Sequence, residues 1–596
     1  MTAGTEDILA VPLDVAEEDR GLLDAAARDI VPQPALSHPG RRGSGLLSSR
    51  AVWVVALTVV ALAARLAFAS RSYDIFIDEV SYTDIARNVA AGHGLTLYGQ
   101  PFNVHPPLGF LEYAAAIIMF GIHGTTEQVL FQLRDVATVF GALVPAVIFL
   151  ALSRFRSLTV AVVAALVVAL DPFAILMDAR VMLEPLAQLA MAGTFAAMAA
   201  AAIAPPGSAR QRWWMIGAGL LGGATICTKE TFGGVLLVAL VALLVTGWVL
   251  RRKQMLFVVA VMLTGAGAGV VESISANGFQ SWYSTKVTDF YRLIGASQQT
   301  GFHAPGMHVT LVQRLLADLG EFWPAYVVLG AGTVAAAAIV FTLRPWSAGR
   351  GSRAPLDREH RAVLAFTMWA LCAAAYLVYA TLFGSLEEQM YYIVLAPAAV
   401  SLVMWSGMVW ETGRLLGERP VTATLGRAGR SGMASTVRLM LAALVVVVVC
   451  GDSAVWVQVH TRHDNEYRTF LAWDPQHVPN SAVISVTEDV AQFLVQGAVL
   501  GDWETVAQLK QHHVDYVLVA RSLVQQRYTS GSPQFFQYVF AHGRLMFSVS
   551  GPSDGALQLW DVQPITGATI PGQSSAGPAA TVLAPPAAKD NTKVGQ

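Results

Sequence analysis

The sequence YDIFIDEVSYTDIARNVAAGHG, residues 73–94, follows the first strongly apolar segment of the chain and leads into VHPPL at residues 104–108. Two acidic residues, Asp78 and Glu79, open its amphipathic part. If the preceding segment, Ala51 to Ala69, spans a bilayer, these carboxylates lie at the boundary between water and membrane. Ionisable side chains at that depth are expensive and commonly functional, so this stretch is the candidate site.

The composition of the whole chain predicts a polytopic α-helical membrane protein. Of its 596 residues, 54% are hydrophobic and only 13% are charged, and the mean hydropathy is +0.51. The formal net charge of −2 disfavours a nucleic-acid partner. All three cysteines, Cys227, Cys372 and Cys450, lie in apolar runs, which excludes a disulfide framework and a CxxC metal site.

About eleven apolar runs are long enough to be membrane spans. After the first, at 51–69, they lie at about 135–153, 158–176, 185–204, 214–228, 233–250, 255–271, 323–343, 362–383, 390–410 and 436–456. Alternate connections carry most of the Lys and Arg, as in Arg251-Arg252-Lys253, whereas the opposite ones include the acidic Glu387-Glu388. This asymmetry predicts a plasma-membrane protein with a cytoplasmic N-terminus and an extracytoplasmic C-terminal domain.

The chain divides into four predicted regions. Residues 1–48 are a disordered cytosolic tail, and residues 49–456 are the transmembrane module, with outside loops at about 70–134 and 272–321. Residues 457–562 form a small extracytoplasmic α/β domain, and residues 563–596 are a second disordered tail. Within the small domain the pattern predicts strands at 482–486 and 514–520, a helix at 503–512, and edge strands or a hairpin at 545–549 and 557–562.

No Walker-type phosphate loop occurs in the sequence, and no GxGxxG follows a predicted strand. Nucleotide hydrolysis and dinucleotide chemistry therefore have no support, and the energy for a reaction must arrive with the substrate. A sugar joined through phosphate to a polyprenyl chain is a substrate of that kind.

Five groups of residues occur in order along the chain: Asp78-Glu79 with Tyr82 and Ala86; His105-Pro106-Pro107-Leu108; Arg134-Asp135; Arg180 with Leu183-Glu184-Pro185; and Gly219 to Lys229. Together they resemble the membrane-embedded GT-C glycosyltransferases, in particular the group related to protein O-mannosyltransferases and lipid A aminoarabinose transferases. The resemblance covers about residues 51–235. It implies an enzyme that transfers a sugar, with inversion, from a polyprenyl-phosphate donor to an acceptor hydroxyl. Which sugar is moved, and whether the acceptor is a protein, a lipid or a cell-wall glycan, stays open.

The resemblance also implies roles for individual residues. Asp78 holds the position of the base, and Glu79 either supports it or binds the acceptor. Glu184 and Tyr82 are expected to orient the acceptor. The donor phosphate is assigned to three residues, His105, Arg180 and Lys229, although relatives have a Lys in place of His105.

No cofactor is required by this scheme. Some relatives bind a divalent metal through an acidic residue where this chain has Val104. A metal is therefore not predicted, but His303 and His308 in the second long loop keep a divalent metal open.

Structural alternatives stand beside these assignments. Asp78 is suited to cap the helix that follows it. Arg180 and Glu184, four residues apart, form an ion pair on one face if their stretch is helical. Lys229 could be an anchor that snorkels to the interface, and His105 could stabilise the Pro-Pro turn.

Two further function classes remain. One is a transporter or flippase for a polyprenyl lipid or solute, which would be expected to show inverted repeats and charges near the bilayer midplane. The other is a non-catalytic envelope scaffold. Here the charges cluster at span ends and no repeat is visible, which favours the enzyme.

Overall fold

A computed structural model describes residues 49–297, 310–347, 356–383, 386–418, 427–526, 529 and 531–567. The helices in chain order are α1 Arg50–Leu66, α2 Ala69–Ser72, α3 Ile77–Ala90, α4 Leu108–Phe120, α5 Thr126–Leu152, α6 Leu158–Leu170, α7 Pro172–Asp178, α8 Glu184–Ile203, α9 Ala209–Thr228, α10 Glu230–Thr246, α11 Arg252–Asn277, α12 Phe279–Leu293, α13 Leu311–Leu319, α14 Trp323–Leu343, α15 Arg358–Leu382, α16 Glu388–Glu418, α17 Arg427–Thr461, α18 Glu466–His477, α19 Val490–Leu494, α20 Val506–Gln511, α21 Arg521–Gln526, α22 Pro533–His542 and α23 Gln563–Thr566. The strands are β1 Thr96–Leu97, β2 Gln100–Pro101, β3 Val483–Val486, β4 Val499–Gly501, β5 Tyr516–Ala520, β6 Arg544–Val549 and β7 Leu557–Asp561.

Every predicted apolar run coincides with helix in the structure. Seven described helices are long and apolar enough to cross a membrane, namely α5, α8, α11, α14, α15, α16 and the one beginning in α17. An eighth span exists if α6 and α7, which meet at 62°, form one broken span, and α10 is shorter. The mostly helical membrane fold is thus confirmed, and the count of eleven stays a prediction.

The run at 158–176 is broken rather than continuous. Pro172 occupies the first turn of α7, and the Asp171 carboxylate caps that turn by accepting from the backbone N–H of Ala174 at 2.9 Å. Proline has no N–H to donate to the preceding turn and is favoured at the start of a helix. A new helix therefore begins at this point.

An enclosed ion pair holds the first helix against α7. Two Arg65 nitrogens, Nε and Nη2, donate to Asp178 Oδ2 at 2.9 and 2.7 Å, and Tyr392 donates to Asp178 Oδ1 at 2.5 Å. Arg65 is 0% exposed and also donates to the Ala169 carbonyl oxygen at 2.8 Å. Gly141 makes room for this pair, because a Cβ there would lie 2.1 Å from Asp178 Cγ.

The two predicted outside loops contain ordered secondary structure. The first holds α3, the short β1–β2 hairpin and α4, and its far end is already part of α5. The second begins later than expected, because α11 continues to Asn277 before Gly278, at φ +81°, redirects the chain into α12. These segments bring chain stretches that are distant in sequence together at one end of the helical module.

The C-terminal region contains a five-stranded sheet in the order β4-β3-β5-β7-β6. Strand β3 runs parallel to β4 and β5, whereas β7 is antiparallel to both β5 and β6. The four predicted strands and the predicted helix appear, but β4 was not foreseen because it is only three residues long. The two segments predicted as edge strands or a hairpin pair with each other as antiparallel strands, which confirms the hairpin. Strand β6 lies at the edge of the sheet, whereas β7 lies between β5 and β6.

The carboxyl end of the parallel strands is filled by another part of the chain. Strands β4 and β5 flank β3 on opposite sides, which creates the reversal point where α/β sheets usually bind ligands. Tyr467, at the start of α18, donates its hydroxyl to Glu488 just beyond β3 at 2.8 Å. Its backbone N–H donates to Asp74 Oδ2 at 3.2 Å. The small sheet is thereby fastened to the segment that precedes α3.

A second contact joins the same two regions. Tyr98, between β1 and β2, stacks on Phe493 of α19 with 5.0 Å between ring centroids. The segment from Asp74 to the hairpin is therefore held from both ends by the C-terminal sheet region.

Candidate active site

Helix α3 presents Asp78 and Tyr82 on one face, because residues four apart lie one above the other on a helix. The Tyr82 hydroxyl donates to Asp78 Oδ2 at 3.3 Å. The side-chain amide of Gln389, at the start of α16, donates to the same oxygen at 3.0 Å. Among the described residues, no donor is placed on the other oxygen, Oδ1.

Asp78 does not cap α3, contrary to the structural alternative for this residue. The carboxylate that serves the first turn belongs to Glu79, which accepts from the backbone N–H of Phe76 at 3.1 Å. Because Glu79 performs this task, the Asp78 carboxylate is available to side chains from other elements.

Glu79 itself is entirely enclosed, with 0% exposure. Arg134 of α5 donates to both of its oxygens at 2.9 and 2.6 Å, and the backbone N–H of Val181 donates at 2.8 Å. Together with the bond from Phe76, these partners occupy the carboxylate. The geometry assigns Glu79 to holding α3, α5 and the segment after α7 together rather than to contact with an acceptor.

Lys229 is the single extended residue between α9 and α10, at φ −150° and ψ 123°. Its Nζ lies 2.9 Å from Glu184 Oε1, 3.4 Å from the Tyr82 hydroxyl and 3.4 Å from His105 Nε2. Burial by itself would lower the pKa of Lys229, but the carboxylates of Glu184 and Asp78 outweigh it and raise that pKa. Lys229 is therefore a permanent cation next to the Asp78–Tyr82 pair.

His105 is held as a neutral imidazole. Burial, followed by the Lys229 charge, lowers its pKa below the usual value. Since an ammonium can only donate, the nitrogen facing Lys229, Nε2, must be the acceptor, and the proton resides on Nδ1. Nδ1 lies 3.5 Å from Glu230 Oε2. His105 thus supports Lys229 and has no second N–H to offer a phosphate.

Lys286 of α12 contacts Val104, the residue that stands where the resemblance would imply an acidic metal ligand. Its Nζ donates to the backbone carbonyl oxygen of Val104 at 2.8 Å and forms an ion pair with Glu230. A lysine charge at this position disfavours a second cation, so the residues around Val104 do not fit a metal. Within the described residues, no group of three or more His, Cys, Asp or Glu could hold a metal ion. His303 and His308 lie outside the described residues.

Arg180 and Glu184 do not form the expected pair. Helix α7 ends at Asp178 and α8 begins at Glu184, so the two residues do not share a helix and Glu184 faces Lys229 instead. The Arg180 guanidinium lies over the Phe76 ring, 5.1 Å from its centroid. Its Nε is buried, and no hydrogen-bond partner for it occurs among the described residues. The Arg180 guanidinium therefore lies at the start of α3, against Phe76.

The start of α16 is fixed next to this cluster by a second ion pair. Arg292 of α12 lies 2.5 Å from Glu387, two residues before Gln389. The negative charges of Glu387 and Asp78 raise the pKa of Arg292 above the usual value, against the opposing effect of burial. The pair connects α12 to the segment that supplies the amide on Asp78.

Burial raises the pKa of the Asp78 carboxyl, and the positive charge of Lys229 opposes this shift. Burial also raises the pKa of the Tyr82 hydroxyl well above its usual value, and Asp78 adds to the effect. Tyr82 therefore acts as a hydrogen-bond donor and not as a base. A carboxylate with a raised pKa and a nearby permanent cation is an arrangement suited to accepting a proton beside a developing negative charge.

Three residues of the cluster were not foreseen as site residues: Gln389, Lys286 and Glu230. Lys286, Asp289 and Arg292 recur at helical spacing in a predicted outside loop, which was a usable signal for a polar helix face. Glu230 is adjacent to Lys229, but a carboxylate between two apolar runs did not by itself indicate a site residue. Gln389 is 311 residues from Asp78 and gives no signal in a single sequence.

Comparison with known proteins places this geometry in context. The family model described as dolichyl-phosphate-mannose-protein mannosyltransferase, PMT, matches residues 55–276, less than half of the chain. This match agrees with the resemblance seen over residues 51–235 and confirms it. No curated protein sequence matches the chain.

Two solved structures share the fold. ArnT from Cupriavidus metallidurans, in complex with undecaprenyl phosphate, is 16% identical with a TM-score of 0.50, and the match covers 87% of this chain and 99% of ArnT. The archaeal oligosaccharyltransferase AglB from Archaeoglobus fulgidus, in complex with an inhibitory peptide and a dolichol-phosphate, is 11% identical with a TM-score of 0.51. That match covers 85% of this chain and 74% of AglB. The chain therefore has the GT-C membrane fold.

Proposed function

We propose that this GT-C-fold chain, which carries a PMT-like segment, is an inverting glycosyltransferase that uses a sugar linked to polyprenyl phosphate. The acceptor is a hydroxyl of a protein, a lipid or a cell-wall glycan. The protein lies in the plasma membrane with its N-terminus in the cytoplasm, and the reaction takes place at the outer face, where the C-terminal domain lies. The Asp78 carboxylate, held by two donors on one oxygen and set beside the buried Lys229, is the observation that carries the proposal.

Asp78 is the base in this scheme. The acceptor oxygen attacks the anomeric carbon on the side opposite to the phosphate, and its proton passes to Asp78 Oδ1. The bond between the anomeric carbon and the phosphate oxygen breaks, and its electron pair leaves with the phosphate. A carboxylate is a weak base, but burial raises the pKa of Asp78 toward the working range of a proton acceptor.

Lys229 is the cation that meets the negative charge developing on the lipid phosphate. Fixed positive charge in a site with little water stabilises such a leaving group more than it does in bulk water. Arg180 adds a second permanent charge at the start of α3. His105 contributes by holding Lys229 in place rather than by binding phosphate directly.

Tyr82 and Glu184 hold the base, Asp78, and the cation, Lys229, in place. The Tyr82 hydroxyl donates to Asp78 and accepts from Lys229, so it connects the base with the cation. Glu184 balances the charge of Lys229, and its second oxygen remains for a hydroxyl of the acceptor or the sugar. No cofactor or metal takes part in the scheme.

Transfer from a panel of radiolabelled polyprenyl-phosphate sugars to envelope acceptors, with and without EDTA, tests the proposal. The purified protein is compared with Asp78→Asn and with Asp84→Asn, a matched variant on the same helix, where Asp84 accepts from Asn88. We expect transfer by the wild type and by Asp84→Asn, loss in Asp78→Asn, and no effect of EDTA. Binding of donor without transfer would instead support the transporter or the scaffold.

The orientation is tested separately. Single cysteines at the exposed residues Gln280 and Arg358 are treated with a membrane-impermeant maleimide on intact cells. The proposed topology predicts labelling at position 280 and protection at position 358. The reverse pattern would refute the assignment of the reaction to the outer face.

A further inference from the structure

We propose that Gln389 is a positioning residue of the reaction, which fixes the Asp78 carboxylate so that Oδ1 points to the acceptor hydroxyl. This inference rests on the proposed role of Asp78 as the base. Gln389 lies in the first turn of helix α16, 311 residues from Asp78 in sequence, so the contact depends on the tertiary fold.

The contact constrains rotation of the carboxylate. Tyr82 and Gln389 approach the same oxygen, Oδ2, from two different helices, at 3.3 and 3.0 Å. A carboxylate bound by one donor can rotate about its terminal bond, because that torsion is broad. Two donors on one oxygen fix the plane of the group and define which oxygen faces the substrate. Such support from surrounding residues is what keeps a reacting group in productive geometry.

A neutral amide is the suitable donor at this place. Asp78 can only accept while it is ionised, so the NH₂ group of Gln389 must face it. The bond favours the ionised form without adding a positive charge, whereas a lysine here would form an ion pair and weaken the base. A glutamate would place a second carboxylate at hydrogen-bond distance, and two such groups share one proton.

The chain segment that carries Gln389 is held in place by an ion pair with another helix. Glu387, two residues earlier, is paired with Arg292 of α12 at 2.5 Å. The start of α16 is therefore held between α12 and α3. This arrangement makes the position of the Gln389 side chain depend on the second long loop as well as on α16.

The test measures the protonation of Asp78 directly. A hydrophobic carbodiimide reacts with protonated carboxyl groups, and mass spectrometry quantifies its adduct on the peptide that contains Asp78 as a function of pH. The full-length protein in detergent is compared with Gln389→Glu, with Gln389→Met, and with Gln280→Glu, which adds a charge at an exposed residue of α12. Asp78→Asn gives the background from the other carboxyl groups on the same peptide, Asp74, Glu79 and Asp84.

We expect the labelling midpoint of Gln389→Glu to rise by about one pH unit or more, because two carboxylates then compete for one proton. The labelling midpoint of Gln389→Met, which lacks the donor, should rise by about half a pH unit. Gln280→Glu should match the wild type. Labelling curves of both Gln389 variants that coincide with the wild-type curve would overturn the inference, whether or not sugar transfer is detected.

Transfer kinetics provide a second readout. Gln389→Met is expected to lower kcat about tenfold with little change in the KM for the donor, and the acidic limb of its pH profile should move upward with the labelling midpoint. An equal loss at every pH would indicate a structural role only and would contradict positioning of the base. If the wild type transfers no sugar at all, the proposed function fails, and the carbodiimide result still decides whether Gln389 controls the protonation of Asp78.

Discussion

Lys229 and Glu184 form an ion pair that is almost completely enclosed by protein, with 2.9 Å between Nζ and Oε1 and side-chain exposures of 4% and 0%. Desolvation makes such a pair expensive to form and more expensive to break on one side only. The same Lys229 reaches Tyr82 and His105, so a pair that contributes to folding also holds the proposed phosphate cation in place.

Variants of the Lys229–Glu184 pair should affect the stability of the protein and its sugar transfer differently. Lys229→Met leaves Glu184 buried without its counter-charge and should lower the free energy of unfolding by about 3–5 kcal/mol. The double variant Lys229→Met with Glu184→Gln should recover most of that loss, because neither buried charge remains. Sugar transfer should fall about 100-fold or more in both, since the phosphate loses its cation.

Thermal unfolding in detergent and the transfer rate are the two measurements for these variants. Recovery of transfer in the double variant would show that Lys229 acts only through folding. Lys229→Arg is the conservative comparison, because it keeps the charge while changing its shape.

The Arg65–Asp178 pair should be essential for folding although it lies apart from the Asp78 cluster. Arg65→Met leaves the buried Asp178 carboxylate without its counter-charge and should cost about 3–5 kcal/mol. The comparison is Arg156→Ala, which removes a pair with the half-exposed Glu411 and should cost about 0–1 kcal/mol. Equal shifts of the unfolding temperature for the two variants would contradict this ranking.

The attachment of the C-terminal sheet to the first loop should weaken as pH rises. Burial, with added repulsion from Asp74 and Asp489, raises the pKa of Glu488 from 4.5 to about 8. Between these two values the folded protein keeps a proton that the unfolded chain releases, so stability falls with rising pH through that window. Below pH 4.5 this contribution is fully present.

The measurement for this effect is the unfolding temperature between pH 5 and 9. Glu488→Gln cannot ionise and should show a flatter decline than the wild type, whereas Glu359→Gln, an exposed residue of α15, should not alter it. A wild-type curve that rises over this range would have the opposite sign from that expected.

His105 should be replaceable by a neutral residue that can accept one hydrogen bond and donate another at the same time. Glutamine offers a carbonyl to Lys229 and an amide to Glu230, so His105→Gln should keep transfer within about threefold. His105→Phe deprives the buried Lys229 of one acceptor and removes the contact with the partly exposed Glu230, a loss of about 1–3 kcal/mol, or about 10–100-fold in rate.

The pH profile of transfer distinguishes a neutral His105 that supports Lys229 from a charged His105 that binds the phosphate. Because its pKa lies below the usual value of 6.5, we expect His105 to be mostly neutral in the range from pH 6.5 to 8. A rate that drops as pH rises through this range, together with a large loss in His105→Gln, would show that a charged imidazolium binds the phosphate.

Much of the fold follows from the sequence because long apolar runs have few alternatives in a membrane. Asp78 was predicted as a site residue because ionisable residues near the end of a membrane span are unusual and because the resemblance implies the base at this position; its role stays a prediction. The expected ion pair between Arg180 and Glu184 is absent because it required both residues to lie on one helix. Helix α7 instead ends at Asp178, and α8 begins at Glu184. Gln389 was beyond prediction, since its importance depends on the folding of α16 against α3 and not on any local pattern.

The carboxyl ends of the C-terminal parallel strands receive Tyr467 and, through it, the segment of Asp74. A chimera that exchanges this domain for that of a relative would therefore mismatch the membrane module unless Asp74 and its neighbours travel with it. Domain grafting on this scaffold should treat residues 73–76 and 464–488 as one inseparable unit.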